Sequence, residues 1–264
     1  MRGSASVTVL PSSDRARRAV LPVAICLGLA VGLTACGEDP DEGTNGVGKL
    51  SAAEIDKKAR TAAGTAGAVR LAGTLVSGGE AYKLNMRLKE NGALGSVVSK
   101  NSTFQLLRIE DALYLKADAG FWSHADDGAG GKATATPSAS DSEAAGKLGD
   151  KYVKVPEEDP AYKQLTGFTD MKVLLGGILS LHGELNKGAR DRIGGVRTIK
   201  ISGSEGDGGT LDISLEGTPY PVRLERAGNA GTLTLADWGK DFELEAPSKG
   251  QTVDYGSRLP KTGE

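Results

Sequence analysis

Cys36, in Leu33-Thr34-Ala35-Cys36, is the residue with the clearest chemistry. A cysteine thiolate is a nucleophile open to alkylation. The small residues before it suit a peptidase that cuts at its amino side. Upstream, Arg15, Arg17 and Arg18 precede AVLPVAICLGLAVGLTA, and no charge follows until Glu38. A basic start, an apolar run and a small-residue end make a secretory leader. The run approaches the ~20 apolar residues of a membrane-spanning helix, but its ending resembles a bacterial lipobox. There a diacylglyceryl group with palmitate-type chains joins the sulfur, and the chain is cut just before it. The expected exported chain begins at a lipid-modified Cys36 on the outer face of the cytoplasmic membrane. The pair Arg17-Arg18 alone does not make a twin-arginine export signal.

Little other reactive chemistry competes. Cys26 falls within the leader, so the exported chain has no thiol pair and must hold together by its core. His124 reads as a surface residue and His182 as a partly exposed residue near the end of an apolar helix. Gly128-Ala-Gly-Gly-Lys-Ala133 lacks the last glycine and the strand–helix context of a dinucleotide fingerprint. Ser202 to Gly209 fits a hairpin connection and lacks a full calcium ligand set. No catalytic residue, metal site or cofactor is expected, and the chain does not read as an enzyme. Leu259-Pro-Lys-Thr-Gly263 matches a sortase signal without the apolar stretch and basic tail that accompany one.

Charge narrows the partners. Without Arg2, Asp14, Arg15, Arg17 and Arg18 of the leader, the net charge moves from −2 to −5. Such a chain has no overall attraction for nucleic acid or anionic headgroups. Aromatic residues make up only 5% of the chain, too few for carbohydrate-stacking platforms. Trp122 and Trp238 are the large exceptions, both near strand ends.

The elements that follow are legible from periodicity. Residues 1–35 are leader, and 36–49 read as a flexible tether. Ser51-Ala-Ala-Glu54 is a capping-box pattern opening a helix to about Ala63. The period then becomes two, with strands expected at 69–76, 80–90, 93–99, 102–110 and 112–118, the second and third joined by a type I′ turn at Asn91-Gly92. Tyr82, Leu84, Met86 and Leu88 share one face, whereas Lys83, Asn85, Arg87 and Lys89 share the other. Residues 125–149 read as a disordered loop. YVKVP resembles another strand, and helix starts stand at Asp159-Pro160 and Thr169-Asp170. The second opens MKVLLGGILSLHGELN, apolar around much of its circumference and expected to be enclosed. A closing meander is expected at 197–203, 210–217, 221–228 and 231–239, giving one α+β domain over residues 50–248 and a tail at 249–264.

Two local sequences carry a family resemblance: Pro219-Tyr-Pro-Val-Arg-Leu-Glu225, and Leu235-Ala-Asp-Trp-Gly239 followed by Leu244-Glu-Ala-Pro247. With the order of elements, they make the chain similar to the LppX/LprA/LprF/LprG group of actinobacterial lipoproteins of LolA-like fold. That resemblance implies a strongly curved antiparallel half-barrel packed around helices. It also implies a cell-envelope protein that binds, and transports, a lipid or acylated glycolipid. The sheet residues expected to line such a cavity are Tyr82, Leu84, Met86, Leu106, Leu113, Leu115, Leu211, Ile213, Leu215, Val222, Leu224, Leu233 and Leu235. Leu174, Leu175, Ile178 and Leu179 would line it from the helix. Ordinary core packing is the alternative for each. A sensor or scaffold that contacts an envelope protein partner is the alternative for the whole.

Overall fold

The computed structural model describes residues 39–77, 79–100, 103–118, 146, 148 and 151–254. Cys36, Trp122, His124, the Gly128–Ala133 segment and the LPKTG sequence lie outside the described residues, as does the 125–149 loop apart from Gly146 and Leu148.

Helix α1 (Ala52–Thr65) opens with the reciprocal cap that its first residues encode. The Ser51 hydroxyl accepts from the Glu54 N–H, while the Glu54 carboxylate accepts from the Ser51 N–H at 3.0 Å. Five strands follow: β1 (Ala68–Ser77), β2 (Glu80–Lys89), β3 (Gly92–Val98), β4 (Thr103–Ile109) and β5 (Ala112–Ala117). After them come β6 (Tyr152–Val155), α2 (Pro160–Thr169) and α3 (Met171–Ile178). Asp159 caps α2, with proline at the first position, and Asp170 caps α3 through the Val173 N–H at 2.9 Å. A second meander runs through β7 (Leu185–Ile193), β8 (Val196–Gly203), β9 (Thr210–Ser214), β10 (Pro221–Glu225) and β11 (Gly231–Ala236). The short strand β12 (Thr252–Asp254) ends the described chain.

The twelve strands among the described residues belong to one open sheet, ordered β12-β6-β5-β4-β3-β2-β1-β11-β10-β9-β8-β7. Every pairing is antiparallel except β12 with β6. The two meanders meet at the β1–β11 seam. A flat sheet of this size would be roughly 50 Å across. Buried side chains from β6 at one side and β8 at the other nevertheless share one apolar cluster with α1 and α3. The sheet therefore curls around its helices. α1 packs on β7, β8 and β10, α2 packs on β3 and β4, and α3 touches both helices. This is an α+β half-barrel.

The structure departs from the sequence expectations in four places. The β2–β3 turn is Glu90-Asn91, with Lys89 paired to Gly92, one residue earlier than the expected type I′ pair. Gly92 is needed as strand instead, because a side chain there would run into the Arg108 carbonyl of β4. The apolar helix ends at Ile178. Leu179 remains buried beyond it and Leu181 packs partly buried against the same cluster, while His182 is exposed. Residues 185–193, expected to include the end of that helix, form strand β7. Finally, the expected tether is held from Asp41 onward: Val47 is 4% exposed within the core, and Asn45 donates to the Ser214 and Gly217 carbonyls, both at 3.0 Å.

Candidate functional site

The inner face of the sheet is built by register. In one row across the strands lie Phe104, Val97, Leu84, Gly73, Leu233, Leu224, Leu211 and Ile201. The next row runs Val153, Leu115, Leu106, Gly95, Met86, Leu71 and Leu235. Partners in register point to the same side of a sheet, so these rows form a continuous apolar wall. Of the expected lining residues, Leu84, Met86, Leu106, Leu113, Leu115, Leu211, Ile213, Leu215, Leu224, Leu233 and Leu235 are buried in the common cluster. Leu174, Leu175, Ile178 and Leu179 join it from α3 and the residue that follows, and Tyr82 packs against its rim. Val222 lies outside the cluster. It sits at a register shift between Pro221 and Arg223, where an extra residue lets the strand turn Leu224 inward.

The wall is covered unevenly. α1 presents small residues, Ala52, Ala59, Ala62 and Ala63, beside Ile55. On α3, Met171, Leu174, Leu175 and Ile178 are buried, whereas Val173 on the far side is 61% exposed. α2 is the loosest part of the cover. Thr169 is its one fully buried residue, Tyr162 and Leu165 are half-buried, and Phe168 is 38% exposed.

Arg108, a residue with no role in the sequence expectations, pins that helix. It follows Leu106 with the same strand parity and therefore enters the inner face, only 8% exposed. Its guanidinium donates to the Thr169 carbonyl, the last of α2, from Nη2 at 3.0 Å and Nε at 3.3 Å. Nη1 donates to the Glu110 carbonyl at 2.8 Å. A cation on the closing carbonyls of a helix also meets the negative end of its dipole.

Asp56 is a second charged group buried on the covered face, turned inward beside Ile55 and Ala59 on α1. One oxygen pairs with Arg60 Nη2 at 2.8 Å, and the other has no hydrogen-bond partner among the described residues. Burial pushes its carboxyl above the ordinary 3.8, against the pull of Arg60. In the window above 3.8, the native state keeps a proton that the unfolded chain has lost, so stability declines as pH rises. Asp56→Asn is expected to flatten that decline, read as urea midpoints between about pH 4 and about pH 7. An unchanged slope would show that the carboxyl is not strained.

The two sequences that carried the family resemblance meet in space. The Tyr220 and Trp238 rings stack at 4.8 Å with planes 4° apart. Trp238 Nε1 donates to the Pro221 carbonyl at 2.9 Å. The pair closes the sheet end where β10 begins and β11 finishes.

No family model and no curated protein matches the chain by sequence. Solved structures do match. LprF from Mycobacterium bovis is 16% identical at a TM-score of 0.47, over 75% of this chain and 97% of that one. The lipoprotein LppX from Mycobacterium tuberculosis is 16% identical at 0.44, over 74% and 98%. This chain resembles LprF and LppX. An uncharacterized conserved protein from Thermus thermophilus is 13% identical at 0.35, over 77% and 98%. The half-barrel itself rests on this chain's own strand order.

Proposed function

We propose that this chain is an extracytoplasmic lipoprotein, cut before Cys36 and anchored by a diacylglyceryl thioether. Its domain binds and carries a lipid or acylated glycolipid between the sheet and the helices. In this reading residues 1–35 are a removed leader, 50–248 the lipid-binding domain and 249–264 a tail. The observation that carries the proposal is the continuous apolar wall beneath a loosely seated helix. Exposing an acyl chain of about sixteen carbons to water costs on the order of 10 kcal/mol. A wall of branched aliphatic side chains offsets that cost once a chain slides against it. α2 buries little apolar surface of its own, so lifting it costs less than lifting α1 or α3. The hydrogen bonds from Arg108 to Thr169 return it to one seat.

Intact mass spectrometry under native conditions, on the full chain extracted from the membranes of its own host, tests both parts. The expected result is a chain beginning at Cys36 with a diacylglyceryl addition, carrying a further noncovalent acyl-lipid mass. Cys36→Ala is expected to lose the covalent addition. A chain with unmodified Cys36 overturns the anchor, and repeated recovery without bound lipid overturns the carrier.

A further inference from the structure

The segment that follows Cys36 is fastened to the domain almost at once. Asp41 is buried at 8% exposure and accepts a forked pair of hydrogen bonds from Arg190 of β7, from Nε at 3.0 Å and Nη2 at 2.5 Å. Arg197, at the start of β8, donates to the Glu42 carbonyl at 3.1 Å and the Gly43 carbonyl at 2.7 Å. The Asn45 N–H donates to the Leu215 carbonyl at 2.8 Å. Lys187 Nζ donates to the Gly48 and Leu50 carbonyls at 3.2 and 3.0 Å. Residues 41–50 thus form a strap across the sheet end that holds the β7–β8 turn and the β9–β10 turn.

Covalent geometry then limits the reach. Cys36 precedes Asp41 by five residues, and a fully extended chain spans at most about 17 Å over that distance. The geometry points to a short leash: the lipid at Cys36 holds the end of the sheet around the β7–β8 and β9–β10 turns against the membrane headgroups. The partner surface is the phospholipid bilayer itself. The opposite end, with the β8–β9 and β10–β11 connections, lies a strand length away and faces outward. This inference rests on the lipid-anchor reading of Cys36. It adds that the domain does not tumble freely above the membrane, so one end is placed to exchange lipid with the leaflet that holds it.

Two exposed positions bracket β10, Thr218 at the near end and Ala227 at the far end, about 30 Å apart along an extended chain. In the lipidated full chain, Thr218→Cys or Ala227→Cys supplies a single free thiol for a fluorophore. The protein is reconstituted into phosphatidylethanolamine–phosphatidylglycerol vesicles containing a headgroup spin-labelled phosphatidylcholine. Quenching at position 218 is expected to exceed that at 227 by at least about twofold, given the reach of the leash. A flexible Gly/Ser insertion of about 20 residues between Glu38 and Asp39 is expected to bring the ratio towards one. Equal quenching in a chain that is lipidated and floats with the vesicles overturns the leash alone. So does a ratio that survives the insertion. A chain with unmodified Cys36 that fails to float overturns the anchor reading as well.

Discussion

Gly73→Ala is expected to destabilise the domain by about 3–5 kcal/mol, a large share of the roughly 5–15 kcal/mol that holds most domains folded. Gly73 lies in the middle of β1 at φ +149, in register with Leu233 of β11. A β carbon there would run into the Thr232 carbonyl oxygen and come within 2.9 Å of the Leu233 Cα. Neither is a flexible side-chain tip that could move aside. This pairing is the seam between the two meanders, so a local clash acts on the whole sheet. Gly79→Ala is the control. Gly79 also has positive φ, +81, but nothing stands within 4 Å of its added carbon, and backbone strain of about 1 kcal/mol is all that is expected. Denaturant midpoints of the two variants separate close approach from strain. Equal shifts would refute the account of the seam.

Arg223→Met should cost about 3 kcal/mol, because it takes the hydrogen-bonded cation away from a buried carboxylate. Asp212 of β9 is fully buried on the outer face, opposite Lys200 and Arg223 in register. Arg223 Nε donates to its Oδ2 at 2.8 Å, and Oδ1 has no hydrogen-bond partner among the described residues. Arg223 is itself 24% exposed along its side chain, so water reaching the vacated site keeps the cost at the lower end of the range for broken buried pairs. Adding Asp212→Asn removes the stranded charge and is expected to restore at least half of the lost stability. A double variant as unstable as Arg223→Met would show that packing, and not charge, sets the cost.

Strands with one wet and one dry side were readable because alternation reports directly on burial. Tyr82, Leu84, Met86 and Leu88 illustrate this. The capping residues Ser51, Asp159 and Asp170 were readable because their partners lie within a few positions. β7 was hidden for the opposite reason. LNKGARDRI sits at the sheet margin with most of its side chains in water, and a register shift between Lys187 and Arg190 breaks what alternation remains. The usable signal was Gly194-Gly195, which both take positive φ in a tight turn between Ile193 and Val196. The strap was illegible because Asp41 meets Arg190 at a separation of 149 residues. No local pattern announces that pairing. Among the residues facing inward, the leucines followed from parity, and so in principle did Arg108. Its charge argued for the outer face until the Thr169 carbonyl supplied a partner.

An open sheet leaves two raw margins, and a half-barrel that never closes must keep them from recruiting a neighbour. Here one margin is β12, a strand of three residues. The other is β7, bulged and bearing Lys187, Arg190, Asp191 and Arg192. Neither offers the long, flat, uncharged template on which fibrils grow. The sheet can therefore stay open without either margin serving as a template for polymerisation, even at high local concentration.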